Sequence, residues 1–116
     1  MVQMTVQVSE ELAERLRPIG PWLSTVLELS LIGCKTVAAA TATEVIQFLS
    51  RDPTPQEVLA YHVPEQGQVR LQRLLALNAA GVLGEEEQLE LDELQRIEHI
   101  LIMLKAQVAE QVQKGL

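Results

Sequence analysis

Hydrophobic residues recur along this chain with two different periods. Over residues 2 to 8, Val2, Met4, Val6 and Val8 alternate with Gln3, Thr5 and Gln7; this period of two places one row of side chains on each face of a β-strand. From Ser9 onward the period is helical. Ser9 followed by Glu10 and Glu11 reads as an N-cap and an acidic first turn, and predicts a helix from Glu10 to about Arg17 with Leu12, Leu16 and Ile19 on its inner face. Pro18 and Gly20 close it. Pro21 can open a second helix, in which Trp22, Leu23, Val26, Leu27, Leu29, Leu31 and Ile32 occupy most of the circumference. That pattern predicts burial on several sides, with Gly33 as the terminator.

The stretch from Lys35 to Thr43, rich in Ala and Thr, reads as a connection. Two short helices should follow, each opened by a Ser/Thr-x-x-Glu signature: Thr41 to Glu44 ahead of Val45, Ile46, Phe48 and Leu49, and Thr54 to Glu57 ahead of Val58, Leu59 and Tyr61. Asp52-Pro53 turns the chain between them, because the residue before proline avoids the helical region. Val63-Pro64 is the strongest boundary, dividing the chain into residues 1–63 and 64–116.

Beyond it, Glu65 to Asn78 predicts a helix interrupted early by Gly67, and Gly81 lies in the connection to a long helix from Glu85 to about Gln113. Two helices joined so closely fold back as an antiparallel hairpin. In the long helix Leu94, Ile97, Leu101, Leu104 and Val108 form one apolar stripe, widened by Ile100, Ile102 and Met103. The expected fold is therefore mainly α: a short N-terminal β-strand, several helices and a C-terminal helical hairpin.

Composition shifts this picture toward association. A chain of 116 residues with 47% hydrophobic content but only Trp22, Phe48 and Tyr61 as aromatics must build its core from aliphatic side chains. So small a chain has difficulty hiding all of them, since small domains bury a smaller fraction of their surface. A homo-oligomer or a permanent protein partner is the expectation, with Leu94, Ile97, Ile100, Leu101, Leu104 and Val108 as the candidate interface.

The net charge of −7, with four basic and seven acidic residues up to Val63 and five and nine after it, leaves neither half basic. It disfavours nucleic acid and anionic membrane surfaces. A basic protein partner suits it better. The single Cys34 reads as a buried small hydrophobe. No signal-like segment and no apolar run of membrane-spanning length is evident, which points to the cytoplasm.

Candidate chemistry is sparse. His62 and His99 have carboxylates near them in sequence, but Gln95 stands where a second ligand would precede His99 by one turn, so no metal site is expected. The run Glu85 to Glu87 with Glu90, Asp92 and Glu93 lacks the spacing of a calcium loop and reads as a solvated helix start. No serine has a nucleophile elbow, and no phosphate or dinucleotide loop is present. No catalytic residue and no cofactor is expected.

Two resemblances bear on function. The residues Leu74-Leu75-Ala76-Leu77-Asn78-Ala79-Ala80-Gly81-Val82-Leu83-Gly84-Glu85-Glu86-Glu87, then Leu91-Asp92-Glu93-Leu94, Glu98-His99-Ile100 and Leu104-Lys105-Ala106, resemble the C-terminal helical hairpin of small bacterial antitoxin-like proteins of addiction modules. Gly84 departs from the Ser or Thr expected there as a cap. The segment Val6 to Leu16 is similar to the opening of ribbon-helix-helix proteins, which implies a paired ribbon in the DNA major groove, with Gln3, Thr5 and Gln7 reading bases. The first resemblance implies a non-enzymatic module that masks a toxin; the second implies a DNA-binding regulator. A scaffold subunit of a larger complex is the remaining alternative.

Overall fold

A computed structural model describes residues 2–32 and 36–115 of the chain. They fold mainly as helix: α1 (Glu10–Leu16), a 3-10 segment (Arg17–Trp22), α2 (Leu23–Ser30), α3 (Ala38–Leu49), α4 (Pro55–Ala60), α5 (Glu65–Ala79) and α6 (Glu85–Lys114). Gly33, Cys34 and Lys35, and with them the expected helix stop and the expected burial of Cys34, lie outside the described residues.

The N-terminal strand is a correction. Residues 2–9 carry no strand, and no other strand exists among the described residues. Alternation selects two faces for a strand, but a strand also needs an edge with which to exchange hydrogen bonds. Within the described chain no such edge is available.

α6 is the axis of the fold. It runs for 30 residues and packs against α2, α3, α4 and α5 in turn. One core results, containing Trp22, Leu29, Val45, Leu49, Val58 and Leu74 together with the α6 residues Leu91, Leu94, Ile97, Ile100, Leu101, Leu104 and Val108. Val63-Pro64 separates α4 from α5, and this single core runs across it.

Local chemistry explains most helix ends. Ser9 Oγ accepts from Leu12 N–H, and Thr54 and Glu57 form a reciprocal capping box. At the hairpin, Gly81 takes φ +73°, while Val82 N–H donates to Leu77 O and Gly81 N–H to Asn78 O. That pair of bonds is a Schellman stop, which needs a left-handed residue and so favours glycine. Gly67 has a different purpose: a Cβ there would lie 2.8 Å from Val63 Cγ1 and 3.3 Å from Thr41 Oγ1. Without a Cβ, the start of α5 can pack against the Val63 side chain and against Thr41 of α3.

Three expected segments differ. The second helix begins at Leu23 rather than Pro21, and Leu27, with Leu31 just past its end, faces outward, so one face stays open while α3 and α6 cover the other. Within the Ala-rich stretch expected as a connection, Ala38 to Thr43 form the first half of α3. Alanine has the highest helix propensity, and Thr36 Oγ1 supplies the start by accepting from Ala38 N–H. Thr41 is therefore interior to α3, not its cap. Finally, α1 buries none of its residues.

Candidate functional site

The structure places all six candidate interface residues inside the chain. Leu94, Ile97, Ile100, Leu101, Leu104 and Val108 are between 1% and 8% exposed, enclosed by the helices around α6. All six belong to the core, and three of them, Leu94, Ile97 and Leu101, also form the floor of a surface cleft. Of the residues that widened the stripe, Ile102 and Met103 do remain on the outside.

A cleft of about 300 Å³ with largely apolar walls lies between α3, the end of α4, the start of α5 and the middle of α6. Leu71, Leu94, Ile97 and Leu101 line its apolar part, and Ile102, 56% exposed, forms a lip. Thr41, His62, Gln68, Gln72, Glu98 and Lys105 supply polar groups around it.

Several of these are held by neighbours. Lys105 Nζ donates to the carbonyl of Tyr61 at the end of α4, where a cation favours the helix terminus. Gln68 Nε2 donates to Val63 O at 2.6 Å. The Tyr61 ring stacks on Phe48 with centroids 4.2 Å apart, and burial, with a smaller contribution from the Glu44 charge, holds its phenol above the ordinary tyrosine range.

Two carboxylates read from sequence as solvated are buried. Glu90 accepts two hydrogen bonds from Arg70, from Nε at 2.7 Å and Nη2 at 2.9 Å, a bidentate clamp between α5 and α6. The hydrogen bond to Glu90 is the largest cause of the raised Arg70 pKa. Glu93 accepts from Thr36 Oγ1 at 2.7 Å, while its Oε2 has no partner among the described residues. A sequence offers no direct sign of either. Arg70 lies 20 residues from Glu90, and Thr36 lies 57 from Glu93.

The histidines fall apart: His62 edges the cleft, whereas His99 lines a depression between α2 and α6. No group of three or more metal-ligating side chains is gathered among the described residues. No described helix is long and apolar enough to cross a membrane.

At the other end of the chain, residues 2–9 form an arm in which Val2, Met4, Val6 and Val8 are all exposed, Val2 at 89%. Gln3, Thr5 and Gln7 are exposed beside them. Residues 2–8 contain no Lys or Arg. The arm continues into α1, which makes its main contacts with the 3-10 segment.

The total surface puts a scale on this. The chain exposes 8536 Å², against about 6300 Å² expected for a compact monomer of its mass. Its radius of gyration is 16.1 Å, against about 13 Å for a compact chain of this length. No protein-family model matches the chain, and no curated protein or solved structure is significantly similar to it.

Proposed function

We propose that this protein is a non-enzymatic interaction module that self-associates through its N-terminal arm and uses its α5–α6 hairpin toward a protein partner, in the manner of an antitoxin. The observation that carries the self-association is the excess surface, roughly 2200 Å² above the compact expectation, together with the row of uncovered aliphatic side chains on the arm. A standard interface takes about 800 Å² from each partner. The excess is ample for one.

The hairpin reading rests on its resemblance to antitoxin-like proteins and on its charge. Glu85, Glu86 and Glu98 are exposed along α6, where they can answer a basic partner and speed encounter with it.

Light scattering across a dilution series tests the first part: an oligomer of 12.9 kDa chains that dissociates on dilution supports it, and a monomer at every concentration overturns it. Co-expression with the neighbouring gene product tests the second. A stable complex that relieves toxicity supports it, and a harmless neighbour that does not co-purify overturns it.

A further inference from the structure

We propose that the cleft beside Ile102 seats residues 2–8 of a second copy, so that two chains exchange arms across a two-fold axis. This rests on the self-association reading and specifies where the arm lands.

The chain carries two unfilled features that complement each other. One is the arm, extended and apolar on one row. Among the described residues, no backbone hydrogen bond links residues 2–8 to the rest of the chain. The other is the cleft, apolar along Leu71, Leu94, Ile97 and Leu101, with an exposed aliphatic lip at Ile102. An extended segment needs both apolar sockets for alternate side chains and polar groups for its peptide units. The cleft edge offers the Gln72 amide and the Thr41 hydroxyl beside that apolar wall.

Residues 2–8 contain no charged side chain, so the arm meets Glu98 and Lys105 at the cleft without repulsion from either. Met4 adds an unbranched, adaptable side chain suited to an irregular socket. The arm of the same chain does not occupy its own cleft, because no residue of segment 2–9 lines it. A second copy carries the same arm and the same cleft, and reciprocal insertion closes the assembly at two chains.

The test uses the full chain with one charge placed in either feature: Val6→Asp in the arm, Ile102→Asp at the lip. Both positions are exposed, and circular dichroism confirms that each variant keeps its helix content; Ile102→Lys repeats the lip test with the opposite charge. Sedimentation velocity should show a wild-type dimer and at least tenfold weaker self-association for each variant. An equimolar mixture of the arm and lip variants should regain a dimer, because one pairing then joins an intact arm to an intact cleft.

If the lip variants dimerise like wild type while Val6→Asp does not, the arm self-associates elsewhere, and this seat is wrong while the broader reading survives. Weakened single variants whose mixture stays monomeric would equally overturn the exchange. A wild-type chain that is monomeric throughout removes both proposals.

Discussion

The N-terminal arm with α1 and the long helix α6 carry equally clear hydrophobic patterns and meet opposite fates. α6 buries its stripe almost completely, with Ile97 at 1% exposure and Val108 at 2%, whereas Val2, Met4, Val6, Val8 and Leu12 lie open. The difference is the supply of neighbours. Four helices present apolar faces to α6, while α1 meets mainly the short 3-10 segment. Periodicity therefore specifies which residues share a face. The rest of the fold decides whether that face is covered within the chain.

The same substitution should have opposite consequences in the two regions. Leu101→Asp puts a carboxylate among Leu and Ile side chains and should cost more than about 4 kcal/mol. That is comparable to the whole stability of a small domain, so loss of the cooperative thermal transition is expected. Val6→Asp in the arm should leave the protomer's helix content unchanged and alter only its self-association. A large loss of helix in Val6→Asp would show that the arm is part of the protomer core.

A smaller effect concerns how α6 is fastened. Arg70→Ala leaves the buried Glu90 carboxylate without its bidentate partner. Removing one member of a fully buried pair costs about 3–5 kcal/mol, but the Arg70 side chain is 39% exposed, and solvent screening brings the expectation to roughly 1–3 kcal/mol. Denaturant unfolding measures it. Replacing both residues with aliphatic side chains should recover most of the loss, because no unpaired charge then remains. Equal destabilisation in the double variant would mean the clamp contributes through packing alone.

These residues also mark what could be read before the structure. Ser9, Thr54, Gly81 and the α6 stripe act over one or two helical turns, and their signals are local. Glu90 and Glu93 stood in an acidic run that looked solvated, because burial there depends on Arg70 and Thr36 arriving from distant helices. The Ala-rich start of α3 is hidden in the sequence for the opposite reason: it lacks large side chains, yet Ala38 and Ala42 are buried. The cleft shares this non-local character, drawing Thr41, Gln72 and Lys105 from three helices. The arm's alternation was legible, but the absence of an intramolecular edge to pair with was not.

Burial around the cleft has a smaller, spectroscopic consequence. Tyr61 is the sole tyrosine, so alkaline phenolate absorbance reports on it alone. Its folded pKa is raised, so the neutral phenol contributes stability that is fully present below the ordinary value near ~10 and is lost as pH rises through the folded value. The titration midpoint should therefore lie above that of the unfolded chain. Glu44→Gln should bring it down only part of the way, since burial is the larger cause. An unshifted midpoint in the native protein would mean this side of the core is open to water.

The smallest expected effect separates capping from packing. α1 begins with the side-chain cap of Ser9 yet buries nothing, whereas α6 begins at Gly84, which has no side chain to accept a hydrogen bond, and is the most buried helix. Gly84 has φ −80° and ψ 174°, a conformation open to any residue. A Cβ there would meet only Glu87 Oε1, at an ordinary 3.7 Å. Gly84→Ser can thus add a cap oxygen without strain while keeping the bond from its own N–H to Glu87 Oε1. The gain should be a few tenths of a kcal/mol, the typical difference between serine and glycine at this position, read as a higher denaturation midpoint with an unchanged slope. A gain well above ~1 kcal/mol would show that fraying at Gly84, more than lateral packing of α6, limits the stability of the hairpin.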